Sequence, residues 1–111
     1  MMDVEAFKPL FHESWHDKIM PFIESQECDA IYKYLKRRSG RGKKIAPSHT
    51  NTFRAFIETP LNEVKVIMMG LCPYHSFRNG KPVADGLLMS TKGTGKIQPS
   101  LDKFYDVFIW R

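Results

Sequence analysis

The sequence predicts an α/β domain in which helices flank a central parallel sheet, and of which this chain carries a part. Three observations lead there. Residues 64–69, Val-Lys-Val-Ile-Met-Met, are nearly continuous in apolar character and end at Gly70, as a strand covered on both faces does. Two stretches before it repeat apolar residues at helical spacing. After it only Leu87 to Ser90 reads as a further strand, and two strands are too few for a doubly covered sheet of ordinary width. Neighbours for the 64–69 strand are therefore expected from unusual earlier strands, from chain outside these residues, or from a partner. The 111 residues leave room for one domain, spanning 1–111.

In chain order, residues 14–25 form the first expected helix, with Trp15, Ile19, Phe22 and Ile23 on one side. Ser14 is its N-cap, Asp17 the acid of its first turn, and Pro21 a kink within it. Phe7, Leu10 and Phe11 pack back onto it, and Trp15 reads as a core anchor. A second helix is expected over 29–38, with Ile31, Tyr34 and Leu35 as its apolar stripe and Ser39-Gly40 as its stop. Thr52 is the expected cap of a short helix over 53–57 that turns Phe53 and Phe56/Ile57 inward and stops at Thr59-Pro60. Residues 76–83 form a polar loop around the turn signal Asn79-Gly80. Residues 91–99 form another loop, and Ser100 caps a last helix carrying Leu101, Phe104, Tyr105 and Phe108.

Charge narrows the partners. Seventeen Lys+Arg stand against twelve Asp+Glu, for a net charge of +5 and a pI near 9.3. Such a surplus favours a polyanion. Six of the nine residues from 36 to 44 are basic: Lys36, Arg37, Arg38, Arg41, Lys43 and Lys44. This basic loop is read either as a phosphate-contacting element or as a solvated charged turn. Cys28 and Cys72 are 44 positions apart, in no metal-binding spacing, so no metal and no cofactor are expected. Without a visible signal peptide or membrane span, the expected location is intracellular, in cytoplasm or nucleus, with no membrane partner.

In open α/β sheets the binding crevice lies just beyond the carboxyl end of a central strand. Gly70-Leu71-Cys72-Pro73-Tyr74-His75 occupies that place. Residues 64–75 together resemble the water-activating motif of the classical, family-1 uracil-DNA glycosylases, in which a V-K-V strand leads into Gly-Gln-Asp-Pro-Tyr-His. The flanks agree: Phe53-Arg54-Ala55-Phe56, Thr59-Pro60-Leu61, Ala84-Asp85-Gly86-Leu87-Leu88-Met89-Ser90 and Pro99-Ser100-Leu101 resemble family segments in the same order. The likeness runs from about Trp15 onward and covers roughly the N-terminal half of a typical member.

The resemblance implies part of a three-layer uracil-DNA glycosylase-like fold and an ancestry in base-excision repair. Members flip deoxyuridine out of DNA and hydrolyse its N-glycosidic bond. By position, Tyr74 matches the tyrosine that excludes thymine, Gly70 and Pro73 shape the turn, and His75 follows the tyrosine. Ser90 and Ser100 match candidate phosphate neighbours. Three positions depart from the pattern. Cys72 stands at the catalytic aspartate's place, Leu71 replaces the glutamine, and Met89 replaces the uracil-stacking phenylalanine, leaving Leu71, Tyr74 and Met89 as the expected pocket side chains. The uracil-reading asparagine and the His-Pro-Ser-Pro loop of the family's second half are absent from the sequence, and His12, His16 and His49 read as ordinary structural or surface histidines.

Three functions follow. One is a uracil-DNA glycosylase-like protein, weak or inactive alone. Another is an active glycosylase, with Cys72 in altered chemistry or with the fold completed by a second chain. The third is a non-catalytic DNA-binding or replication-accessory module that binds a protein. DNA is the expected partner, with a second chain beside it.

Overall fold

A computed structural model describes residues 3–88, 90, 102, 103, 106 and 107. Four of its α-helices are described end to end: α1 (Val4–Phe7), α2 (His16–Ile23), α3 (Gln26–Gly40) and α4 (Arg54–Glu58). Short 3-10 turns at Lys8–Leu10, Glu13–Trp15, His49–Asn51 and Leu61–Glu63 connect or precede them. Two strands, β1 (Phe77–Arg78) and β2 (Lys81–Pro82), pair antiparallel in the register Phe77 to Pro82 and Arg78 to Lys81.

The core lies in the N-terminal half. Phe11, Ile23 and Cys28 are buried, with Val4, Phe7, Leu10, Trp15, Ile19, Met20, Phe53 and Phe56 packed around them. Its centre is aromatic. The Phe11 ring is 4.7 Å from Phe53 and 5.4 Å from Phe56, and Trp15 meets Phe56 edge-on at 4.8 Å. Edge-to-face and tilted pairs set the positive rim of one ring against the negative face of the next, adding to the burial of both. Trp15 is thus the core anchor its spacing predicts, and its indole N–H donates to the Thr59 carbonyl at 2.9 Å.

Several caps differ from expectation. The first helix begins at His16 rather than residue 14, because Glu13–Trp15 winds as a tighter 3-10 turn. Ser14 does not cap it. Its hydroxyl accepts the Leu61 N–H at 2.9 Å and so ties this turn to the chain leading into residues 64–70. The second helix runs longer than predicted, from Gln26, because the Ser25 hydroxyl accepts the Cys28 N–H at 3.1 Å. Thr52 likewise supplies no side-chain cap to α4, whose cap position is Phe53. The Ile57 side chain, expected inward, is exposed, as are Ile31, Tyr34 and Leu35 on α3.

The largest correction concerns the sheet. Among the described residues, strand pairing is confined to the β1–β2 hairpin, and no central parallel sheet is formed. Residues 64–70 have no regular secondary structure, and Val66 and Ile67 are 77% and 74% exposed. A strand needs a neighbour to satisfy its main-chain groups, and none of the described strands lies beside this one. Leu87 and Leu88 also lie outside any strand. They belong to a turn closed by the Ser90 N–H on the Leu87 carbonyl at 3.1 Å. Residues 76–83, expected as a polar loop, instead pair as this hairpin on either side of the Asn79-Gly80 turn. Both residues have positive φ, 51° and 75°, as a primed two-residue turn requires. The expected loop at 91–99, Ser100 as cap, and the apolar side of the last helix lie outside the described residues; Asp102, Lys103, Asp106 and Val107 are helical. The radius of gyration is 15.6 Å, against about 13 Å for a compact domain of this length.

Candidate functional site

The turn at 70–75 follows the unpaired stretch and leads within two residues to the hairpin. Gly70 packs closely on Leu88: a Cβ there would lie 2.6 Å from the end of the Leu88 side chain, which would have to shift. This approach joins the turn to the 84–90 segment, so the structure brings together two of the segments that carry the family resemblance. Leu71 is fully exposed. Cys72 is a free, exposed thiol, Pro73 and His75 are exposed, and Tyr74 is half-buried. Met89 and Ser100 lie outside the described residues.

A polar network organises the 84–90 segment. Asp85 is buried. The Arg54 guanidinium, on α4, donates to the Asp85 carbonyl at 3.1 Å and lies 3.4 Å from its carboxylate, with side-chain exposures of 19% and 11%. The carboxylate also accepts the Leu87 N–H at 3.2 Å and the Ser90 hydroxyl at 2.5 Å. Arg54 reaches Glu58 through Nε at 3.3 Å as well. Gly86 sits at φ +92°, where a Cβ would collide with the Asn51 carbonyl oxygen. Glycine alone adopts that conformation without strain and admits the close approach. Ser90, a phosphate candidate by sequence, thus directs its hydroxyl proton to Asp85.

Arg54, Asp85 and Gly86 were not singled out as site residues by sequence reasoning. The Asp85-Gly86 dipeptide is a turn signal that could have marked them, since an aspartate can bond main-chain groups two residues on. The 31-residue separation of Arg54 from Asp85 left that pairing unreadable.

The basic residues divide between two elements. Lys36, Arg37 and Arg38 stand on the last turns of α3, which extends to Gly40, while Arg41, Lys43 and Lys44 follow it; all are exposed. Gly42, at φ 80°, turns the chain after the helix. The Lys44 ammonium, at the end of this tract, lies 5.2 Å from the centre of the Phe77 ring, within cation–π range, and so meets the hairpin just beyond His75.

Of the three histidines read as structural or surface residues, His12 and His16 have hydrogen-bond partners. His12 Nδ1 accepts the Ser14 N–H at 3.2 Å, and the His16 Nε2 lies 3.0 Å from the Lys8 carbonyl and 3.2 Å from that of Phe11. His49 opens a 3-10 turn. Among the described residues, no cluster of three or more His, Cys, Asp or Glu side chains could hold a metal, and no helix is long and apolar enough to cross a membrane. Burial, and then the charge of Asp29, push the Cys28 thiol upward in pKa. A hydrogen bond from Lys33 holds the Asp29 carboxyl below its ordinary value.

No protein-family model matches the chain, and no solved structure matches it. Known proteins do. A uracil-DNA glycosylase of Aliivibrio salmonicida is 36% identical over 92 residues, 83% of this chain and 39% of that protein. One of Acinetobacter baumannii is 33% identical over 98 residues, 88% of this chain and 40% of that protein. One of Xanthomonas oryzae pv. oryzae is 31% identical over 105 residues, 95% and 42% respectively. The chain is thus a homologue of the uracil-DNA glycosylases over most of its own length, and it spans about two fifths of theirs.

Proposed function

We propose that this chain is a uracil-DNA glycosylase-like module of base-excision repair that binds DNA and, alone, excises uracil weakly or not at all. The observation that carries the reading is Cys72, an exposed thiol at the turn position where the family motif places its aspartate. Hydrolysis of the glycosidic bond draws on preorganised charge in a site closed to water, around a base taken out of the stack. A thiol open to solvent supplies neither the fixed negative charge nor the exclusion of water. Leu71, fully exposed beside it, offers the base no hydrogen-bonding side chain.

DNA is the partner that the charge favours. The contact of Lys44, at the end of the basic tract, with Phe77, two residues past the turn, supports a role for the tract in tracking phosphates near a base presented to residues 70–75. A second reading, an active glycosylase completed by another polypeptide, is favoured by the open apolar stretch at 66–71.

The test uses a single-stranded oligonucleotide carrying one deoxyuridine. Binding followed by anisotropy should weaken as salt rises. Replacing Lys36, Arg37 and Arg38 by serine should flatten the log–log salt slope by about 2, at roughly 0.7 for each phosphate no longer neutralised. Abasic product should stay at background. Product formed by the unaltered chain and abolished in Cys72→Ala would overturn the reading.

A further inference from the structure

Helix α3 has two unlike sides. Cys28 is buried, and Tyr32 and Leu35, one and two turns further on, follow it on the same side of the helix. The opposite side carries Ile31, Tyr34, Arg37, Arg38 and, at the C-cap, Arg41, which recur at intervals of three and four residues. All five are exposed, Ile31 by 52% and Tyr34 by 51%. The acids of the helix, Glu27 and Asp29, stand in its first turn, and Asp29 is paired with Lys33 at 2.8 Å. From Ala30 to Arg41 the helix carries no acid, so its outer side is aromatic and cationic together.

That combination selects a ligand. A half-open tyrosine ring offers a flat face. Arginines one turn away, with Cβ atoms about 5–6 Å from that of the tyrosine, reach the phosphates beside a base laid on the ring. A single strand of nucleic acid supplies both parts, because its bases present π-faces that a duplex keeps stacked on one another. An anionic lipid surface fits less well. A helix lying in a membrane interface separates its apolar and basic faces, whereas Arg37, Arg38 and Arg41 share the side of Tyr34. An acidic protein segment would pair with the arginines and leave the ring unused.

We propose that Ile31 and Tyr34 form a base-stacking platform on α3 for single-stranded DNA, with Arg37, Arg38 and Arg41 on its phosphates. The platform accepts any base, since stacking uses the π-face and not the hydrogen-bonding edge. It stands on a different element from the turn at 70–75 and needs no uracil. The proposal rests on the reading of this chain as a DNA-binding module and adds to the phosphate contacts of the basic tract a contact with the bases.

The probe is a fluorescein-labelled oligothymidylate, which contains no uracil, titrated with the 111-residue chain and followed by anisotropy. Tyr34→Ala should weaken binding about tenfold or more. Tyr34→Phe keeps the ring and should bind within about twofold of the unaltered chain. Neither variant changes charge, so the log–log salt slope should stay the same. Alanine favours a helix more than tyrosine does, so α3 should persist, which circular dichroism checks. A strand of equal length with abasic sugars in place of its thymidines keeps the phosphates and loses the bases. It should bind the unaltered chain and Tyr34→Ala equally, and both weakly.

Thymidylate binding unchanged in Tyr34→Ala, or an abasic strand bound by the unaltered chain as tightly as the thymidylate, would overturn the platform and leave the phosphate-contacting tract standing. No salt-dependent binding to any strand would sink the DNA reading, and the platform with it. Binding to mixed phosphatidylserine and phosphatidylcholine vesicles that is lost in Tyr34→Ala would assign the patch to a membrane and overturn the proposal. So would an oligouridylate RNA held about tenfold more tightly than the thymidylate, since RNA would then be the occupant.

Discussion

At Gly86 a single hydrogen atom decides whether the 84–90 segment closes. Its φ of +92° lies where L-residues are strained, and the Asn51 carbonyl occupies the space of a side chain. Gly86→Ala is expected to destabilise the chain by about 2 kcal/mol or more, read as a lower urea midpoint. The two thiols make a second contrast. Cys72 is exposed and Cys28 buried, so a chromogenic disulfide should titrate one thiol quickly in the native chain and both in urea. Two fast native thiols would mean that the α2–α3 junction opens readily. The buried thiol also gives a pH dependence. The folded chain holds the Cys28 proton above the ordinary value of 9.0, where the unfolded chain releases it. Stability is therefore level below that pH and falls as pH rises past it. Urea midpoints at neutral pH and above pH 9 in Cys72→Ser, which leaves only this thiol, would check the sign.

At the scale of elements, α3 depends on its cap more than on its packing. Most of its residues from Ala30 onward are exposed, and its buried residue is Cys28 in the first turn. Ser25 satisfies the Cys28 N–H there. Ser25→Ala should cost about 1 kcal/mol and reduce helical ellipticity, the loss falling on α3. The Lys33–Asp29 pair, four residues apart at 2.8 Å, adds a small surface contribution. Because Lys33 lowers the Asp29 pKa, that contribution is present above the ordinary carboxylate range and disappears as pH falls through the lowered value. The helix was legible in sequence because its apolar residues and basic end follow a period of 3.6. Its start was less so: the expected helix began at Asp29, and the Ser25 side-chain bond to the Cys28 N–H that starts it at Gln26 leaves no mark on the apolar period.

For the whole molecule, the largest group of packed apolar side chains among the described residues is a small aromatic core. Phe11 joins Phe53 and Phe56, and through them the chain before α2 meets α4. Phe11→Ala should cost about 3–5 kcal/mol, comparable with the entire stability expected of a small domain. The expected outcome is loss of cooperative unfolding, seen as a broad thermal transition where the unaltered chain gives a sharp one. A variant that kept a sharp transition with a small shift would place the organising core elsewhere.

What was determined locally could be read locally. The Asn79-Gly80 turn, the helical stretches and the order of family segments each depend on neighbours a few residues apart. The turn at 70–75 was legible as ancestry, because identity at successive positions survives without a folded context. The network around Asp85 was not, because Arg54 and Ser90 meet it only once α4 and the 84–90 segment are packed together. Residues 64–69 mark the boundary most plainly. Their composition by itself states that they suit a strand buried on both faces. Whether they form one depends on hydrogen-bonding neighbours far from them in sequence, and tertiary structure alone decided that the described residues leave this strand open.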